Sequence, residues 1–577
     1  MNLPAESAPG VYQELAKANQ ALVDDFLRQL PSSGRPEFVE LMRATAFGTD
    51  AQRAKILSLQ ERLYREHLAL WSNLLGGGND TNPDVATAGD HRFDAPEWSE
   101  LPFFRYLRQA YLMNARFLNE LGELAALDSH AKRQLQFVLR QFVDAIAPTN
   151  FAATNPEVIR IANESQGKSL SQGMNLLAAD LARGRISMSD ERAFEVGRNL
   201  AVTPGAVVSE NRVMQLIQYA PSTQQVFERP LLIVPPFINK YYILDLQPEN
   251  SFVRYCVGQG FTTFIVSWRN IPPELGYLTW DDYVRDGVLA PLDVVRAITG
   301  AGQINTLGFC VGGTLLATAL AVMAQKNAGS VCSLTLLASM LDYSDTGDIS
   351  VFVDREFVER AELEFRDSGS MPGSRLAATF AMLRANELVW HFMINNYLKG
   401  KEPKPFDLLY WNADGANLPG RLYTYYLRNM YLENNLRIPG KLDACGVPVD
   451  LGRIGVPAFV LATREDHIVP WKTAHLSAAL LGGDTEFVLG ASGHVAGIIN
   501  PAAKKRRRHY WTNSAAALDA DAWFAGAAQQ PGSWWPHWAS WLRKKSGQKA
   551  PAPAALGNTR FPAIEAAPGR YVKQKLP

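Results

Sequence analysis

The sequence predicts an α/β protein: a mostly parallel sheet covered by helices on both faces, carrying a helical cap insertion and preceded by an all-helical N-terminal domain. Three observations predict it. From about residue 190, short β-rich runs alternate with helical segments. One of those runs passes through Gly308-Phe309-Cys310-Val311-Gly312-Gly313 into a helical stretch. Before residue 190 the apolar residues recur at helical spacing.

The N-terminal stripes run through Leu15, Ala18, Leu22, Phe26 and Leu30, then Ile56, Leu59, Leu63, Leu70 and Leu74, then Phe104, Leu107, Tyr111, Leu118 and Leu121. They either face a core or dock a partner or an apolar particle. Gly76-Gly77-Gly78-Asn79-Asp80-Thr81-Asn82-Pro83 is a break between them. Residues 1–190 are therefore assigned to a helical domain and 191–577 to a catalytic domain. The expected strands are Leu231–Val234, Thr262–Val266, Ile304–Leu307, Ser333–Leu336, Ala458–Leu461 and Glu486–Leu489. Residues 340–450 interrupt the series; they read as helical, for example Ser374 to Leu398, and are rich in aromatics. An insertion before the last strands of such a sheet is expected to form a lid over the site. Ser546 to Leu556 is Pro/Ala-rich and reads as extended or mobile.

Strand, Gly-x-nucleophile-x-Gly, helix is the layout of a nucleophile elbow in the α/β-hydrolase order of nucleophile, acid, histidine. Cys310 occupies the nucleophile position, where most such enzymes carry serine. Asp466 follows the expected strand at 458–461, and His494 follows the one at 486–489. All three side chains would emerge at the carboxyl ends of parallel strands. His494 would take the thiol proton and Asp466 would fix its tautomer. The positive end of the helix after Cys310 would favour the thiolate as well. The oxyanion would be met by the Val311 N–H and by a second donor, Phe237 or Ile238, on the loop Pro235-Pro236-Phe237-Ile238-Asn239-Lys240. His467, Asp245, Cys256, Cys332 and Cys445 are read as structural.

Composition narrows the rest. The 577 residues carry 57 Lys+Arg against 57 Asp+Glu, so no global pull toward nucleic acid or anionic membrane is expected. The basic run Lys504-Lys505-Arg506-Arg507-Arg508-His509 reads as a solvated loop, and Trp534, Trp535, Trp538 and Trp541 as packing of a final helix. Four cysteines without a Cys-x-x-Cys pair are neither a disulfide framework nor a zinc site, and no metal is expected. The start lacks the basic and apolar regions of a signal peptide, and no apolar run is long enough for a membrane span. A reducing cytoplasm, where a reactive thiol persists, fits best.

Several further segments carry a resemblance. They are Val234-Pro235-Pro236-Phe237-Ile238-Asn239-Lys240-Tyr241-Tyr242, Ser267-Trp268-Arg269-Asn270, Asp466-His467-Ile468-Val469-Pro470-Trp471, the stretch from Ser492 to Pro501, and Gly532-Ser533-Trp534-Trp535. With the cysteine box at 308–313 they resemble the polyhydroxyalkanoate synthases, and the length and helical N-terminal part resemble the class I, short-chain group. The resemblance implies Cys310, Asp466 and His494 as nucleophile, acid and base. It implies an acyltransferase that takes (R)-3-hydroxyacyl-coenzyme A, such as 3-hydroxybutyryl-coenzyme A, releases coenzyme A and extends a polyester. Coenzyme A is then part of the substrate, and no cofactor is needed. A homodimer in the cytoplasm, on the polymer granule surface and among granule proteins, is implied too. Whether Asp466 only orients His494 or also activates the incoming hydroxyl stays open. One segment departs: the family's Trp-Asn-Ser-Asp-(Ser/Ala)-Thr-Asn is here Trp411-Asn412-Ala413-Asp414-Gly415-Ala416-Asn417. That change bears on lid position and substrate preference. The alternatives are a thioesterase or lipase-like hydrolase using the same three residues, and a non-catalytic granule-binding protein.

Overall fold

In the computed structural model of the chain the described residues are 49–76, 90–366, 369–502, 508–514 and 519–575. The stripe at Leu15–Leu30, residues 77–83 of the expected break and most of the basic run lie outside them. The chain forms two compact units, Met1–Asp190 with Thr379–Lys404, and Glu191–Ala378 with Pro405–Pro577.

The first unit is helical: α1 Asp50–Gly76, α2 Pro102–Leu124, α3 Ser129–Ala145, α4 Pro156–Glu164 and α5 Lys168–Arg183. Each start has a local cause. Asp128 caps α3 by accepting from the N–H groups of His130 and Ala131. Asn155 caps α4 in the same way, and Pro156 opens its first turn. Ile56, Leu59 and Leu63 lie on the partly covered side of α1, and Arg116 of α2 reaches Glu66 at 2.5 Å. Phe93, Trp98, Tyr111, Val143 and Ala147 form a small core.

One placement differs from the sequence reading. Thr379–Lys404, read there as part of the cap, clusters with this helical unit. Tyr397 donates to Asp180 at 2.8 Å, Gln141 donates to the carbonyl of Met382 at 3.1 Å, and Trp390 is buried among Leu177 and Ala145. The helical period of 374–398 is real, but periodicity does not say which core a helix packs on.

The second unit is built on one sheet. Its strands are β1 Gly205–Glu210, β2 Met214–Tyr219, β3 Leu231–Val234, β4 Thr263–Trp268, β5 Ile304–Phe309, β6 Val331–Leu337, β7 Ala458–Thr463, β8 Thr485–Gly490, β9 His509–Thr512, β10 Ala528–Pro531 and β11 Glu565–Ala566. The spatial order is β10-β9-β8-β7-β6-β5-β3-β4-β2-β1-β11. The six strands from β8 to β4 run parallel; the strands outside them are antiparallel. The parallel strands are the six read from the sequence. β3, β4 and β5 are buried at every position; β3 is an unbroken apolar run, while β4 also buries Thr263 and Ser267 and β5 also buries Asn305 and Thr306. The antiparallel flanks β1, β2 and β9–β11 were not foreseen: they carry Gln, Ser, Glu and His within their strands. The Pro/Ala-rich tail is extended, and Lys549–Pro551 pairs with Gln225–Phe227.

Helix α6, Val311–Gln325, follows β5 directly and is buried from Val311 to Met323. Cap helix α7, Gly420–Tyr426, and the π-helical turn Leu427–Leu432 belong to the insertion between β6 and β7. Helix α8, Trp535–Arg543, closes the unit with Trp534, Trp535 and Trp538 in its core. Among the described residues no helix is long and apolar enough to cross a membrane.

Candidate active site

Cys310 stands alone between the last residue of β5 and the first of α6. Its backbone has φ 51° and ψ −131°, a left-handed conformation that costs a non-glycine residue of order 1–3 kcal/mol. The position is over-determined by its surroundings. The Cys310 N–H donates to Leu337 O at 2.9 Å, and its carbonyl accepts from Gly313 at 2.8 Å. A Cβ at Gly308 would lie 2.3 Å from the Gly313 Cα, and one at Gly312 would lie 2.4 Å from Val234 O. Both contacts are with backbone, which cannot swing aside. Gly308→Ala is therefore expected to lower stability by about 1–3 kcal/mol. A thermal midpoint equal to that of the unsubstituted protein would refute this account of the elbow.

His494 and Asp466 come from the loops after β8 and β7. These loops are tied together: Arg464 N–H donates to Gly490 O at 2.8 Å and Glu465 N–H to Ser492 O at 3.1 Å. His494 Nδ1 lies 2.7 Å from Asp466 Oδ2. An ionised carboxylate only accepts, so Nδ1 carries the proton and Nε2 is left for the thiol. Asp466 also accepts from Thr463 Oγ1 at 3.1 Å and from the N–H groups of Ile468 and Val469 at 2.9 and 2.8 Å. Its side chain is fully buried. Burial works against that charge, but His494 and the backbone donors outweigh it and hold the carboxyl below its usual range. Burial likewise works against an imidazolium at His494. Asp466 and the neighbouring Cys310 outweigh it and raise its proton affinity well above the ordinary value. The imidazole also stacks on Phe309, ring centres 5.6 Å apart. Cys310 and His494 thus share one site.

The loop after β3 abuts the first turn of α6, through the close approach of Gly312 to the Val234 and Pro235 carbonyls. Val311 N–H opens that helix. Phe237 is buried among Trp268, Trp280, Tyr283 and Tyr426, and Ile238 is half-buried. Trp268 Nε1 donates to Pro235 O at 2.8 Å and fixes the loop's start. Its end is fixed by Lys240, which was not singled out from the sequence. The buried ammonium pairs with Asp414 at 2.9 Å and donates to the carbonyls of Val572 and Gln574 at 2.8 and 2.6 Å. Burial lowers its proton affinity, and Asp414 opposes that. Trp411 Nε1 donates to Lys240 O at 2.8 Å, Tyr242 donates to Asp414 at 2.9 Å, and the Asn417 N–H donates to Asn270 at 3.0 Å. The anchors of segment 411–417 are therefore Trp411, Asp414 and Asn417. The unusual Gly415 is not demanded by packing, since a Cβ there would meet nothing closer than 3.6 Å.

The remaining residues read as structural are held in structural settings. Asp245 is buried and accepts from Thr203 at 2.5 Å and Ser251 at 2.6 Å. Burial pushes the Cys256 thiol well up, Cys332 up to about 11 and Cys445 upward. The Trp cluster has a second task beyond packing. Trp534 and Trp535 donate from Nε1 to Gly497 O and Ile498 O at 2.9 and 3.0 Å, which clamps the histidine loop. Thr463 and the tyrosines around Cys310 escaped sequence reading, because nothing in their spacing marks them. No cluster of metal-ligating side chains occurs among the described residues.

A family model described as the poly-beta-hydroxybutyrate polymerase (PhaC) N-terminus matches residues 89–256, and one described as the alpha/beta hydrolase fold matches residues 229–501. The chain is 49% identical over 534 residues to the poly(3-hydroxyalkanoate) polymerase subunit PhaC of Cupriavidus necator, covering 92% of this chain and 90% of that one. It is 40% identical over 527 residues to the protein of the same name from Rhizobium meliloti, covering 90% and 86%. Among solved structures it is similar to a hydrolase from Pseudomonas aeruginosa, with 17% identity, a TM-score of 0.31, and 51% and 92% of the two chains covered.

Proposed function

The chain belongs to the poly(3-hydroxyalkanoate) polymerase family, a family of acyltransferases, and from that premise we propose that it polymerises (R)-3-hydroxyacyl groups from coenzyme A thioesters through a covalent thioester on Cys310. The observation that carries the reading is a cysteine at a strained elbow, beside a buried imidazole that is itself held by a buried carboxylate.

In this reading His494 Nε2 takes the proton of Cys310 as the sulfur attacks the thioester carbonyl. The negative oxygen is met by the Val311 N–H and by Phe237 or Ile238, each donor worth about 3–4 kcal/mol in the transition state. Coenzyme A leaves as the thiol, taking the proton from His494. The acyl group stays activated, because a thioester is a better acyl donor than a serine ester. A 3-hydroxyl from a second unit then gives its proton to the same base and attacks the thioester carbon; an ester bond forms, the carbon–sulfur bond breaks, and Cys310 takes the proton back from His494. Asp466 holds His494 in the required tautomer throughout. The cap around 411–432 would limit water, which would otherwise end the chain. Action as a homodimer at the surface of a polymer granule in the cytoplasm, with granule proteins nearby, completes the proposal.

The test is incubation of the purified protein with (R)-3-hydroxybutyryl-coenzyme A. Release of coenzyme A with growing turbidity is expected. Release with only soluble 3-hydroxybutyrate would instead make the protein a hydrolase, and no release would leave a binding protein.

A further inference from the structure

The loop between β3 and the buried turn Tyr241–Asp245 has few backbone donors to offer. Pro235 and Pro236 carry no N–H. The Lys240 N–H is taken by the Asn239 side chain at 2.7 Å, and Asn239 pairs with Gly415 in an isolated antiparallel bridge. The N–H groups of Phe237 and Ile238 remain, and neither donates to a protein group among the described residues. Phe237 is only 2% exposed. A buried N–H without a protein acceptor is unfavourable, and an oxygen of a bound substrate would relieve it.

The end of this loop is held by a tripod. An ammonium has three N–H groups and no lone pair. Lys240 uses all three: on Asp414 Oδ1 at 2.9 Å, on Val572 O at 2.8 Å and on Gln574 O at 2.6 Å. Its side chain is 4% exposed, so water hardly competes for those protons. The acceptors are themselves fastened. Tyr242 donates to the other oxygen of Asp414 at 2.9 Å. The Tyr571 N–H donates to Gln215 at 3.1 Å, and its hydroxyl to Asn211 O at 3.0 Å. With Trp268 on Pro235 O at the start of the loop, only Pro236 to Asn239 lie between the two anchors. Taking an ion pair out of water is a poor source of stability; what this one supplies is a single geometry for the loop.

We propose that Lys240 is a positioning residue: its ammonium ties Asp414 and the carbonyls of Val572 and Gln574 to the loop, and so holds the Phe237 N–H where the negative oxygen forms. Lys240 touches no reacting atom and acts through the loop alone. The inference rests on the functional reading above and adds the group that sets its second oxyanion donor.

Two reactions of the same sulfur test it. One is coenzyme A release from (R)-3-hydroxybutyryl-coenzyme A over a range of concentrations. The other is alkylation of Cys310 by iodoacetamide, followed by mass spectrometry. Alkylation forms a carbon–sulfur bond, breaks the carbon–iodine bond and sends the thiol proton to His494. No negative oxygen develops, so it reports on Cys310 and His494 without the loop. The proteins are the unsubstituted chain, Asp414→Asn, and Lys240→Met combined with Asp414→Asn, which removes the pair whole and leaves no buried charge alone. The double variant is expected to lose about 10²-fold in kcat, with KM held within about threefold and alkylation within about twofold. Asp414→Asn leaves Lys240 on its two carbonyls, so its expected loss in kcat is about 3- to 10-fold, with alkylation again unchanged. Unchanged kcat in either variant, a loss confined to KM, or alkylation slowed in step with coenzyme A release would each overturn the assignment while the functional reading stands. If the double variant does not fold, Asp414→Asn decides on the same criteria. An unsubstituted chain that releases no coenzyme A would overturn that reading and the inference together.

Discussion

Cys310→Ala is expected to reduce coenzyme A release from 3-hydroxybutyryl-coenzyme A by at least about 10⁴-fold, the scale on which a nucleophile acting as a unit with its base is lost. The backbone explains why so little would remain. The elbow holds residue 310 at φ 51° whatever side chain it bears, because its bonds to Leu337 and Gly313 are made by the main chain. Alanine should therefore leave the donors and the pocket in place and remove only the attacking atom. The residual rate then measures what oxyanion stabilisation achieves without a nucleophile. Cys310→Ser separates nucleophilicity from acyl activation: slow acylation followed by a stable ester is expected, visible by mass spectrometry as an acylated protein with little polymer. Full turnover by Cys310→Ala would remove the thioester mechanism altogether.

Asp466→Asn is expected to cost about 10³- to 10⁴-fold, nearly as much, without removing any reacting atom. The N–H groups of Ile468 and Val469 require an acceptor at Oδ1. An asparagine satisfies them with its carbonyl and so turns its NH₂ toward His494 Nδ1. The ring must then accept at Nδ1 and carry its proton on Nε2, where it cannot take one from sulfur. Elongation should suffer at least as much as initial acylation; unchanged polymer yield would take Asp466 out of the mechanism.

The same pair governs a pH effect on stability. His494 has a raised folded value, so its contribution is fully present below its ordinary value of about 6.5 and is lost as pH rises through the folded one. Asp466 has a depressed folded value, so its contribution is fully present above about 3.8 and is lost as pH falls through the folded one. The difference in thermal midpoint between the unsubstituted protein and Asp466→Asn should therefore be widest between about pH 4 and pH 6.5. A difference that does not change with pH would show that the pair is not ionised in the folded protein.

The parts of the molecule readable in advance share one property: their constraint is local. The buried parallel strands are rich in apolar and β-branched residues, so all six could be seen even where they bury Asn305, Thr306, Ser333 or Thr335. The elbow needs small residues at fixed offsets, so Cys310 could be found from the glycines around it. Asp466 and His494 could be found because each follows such a strand. The antiparallel flanks were hidden because they carry polar residues: β1, β9 and β10 are partly exposed, and β2 is buried throughout yet includes Gln215 and Gln218. The departure at 411–417 looked like a change in the cap. The structure assigns the anchoring to residues the departure leaves intact, with Asp414 on Lys240 and Asn417 on Asn270.

By itself the sequence determined the type of sheet, the elbow that carries the candidate nucleophile, and the order in which the candidate acid and base follow it, since backbone sterics and burial act over a few residues at a time. Only the tertiary structure decided that Lys240 joins the candidate oxyanion loop to residues 414 and 572–574, and that Thr379–Lys404 packs on the N-terminal helices. Those outcomes depend on which distant groups meet when the core closes.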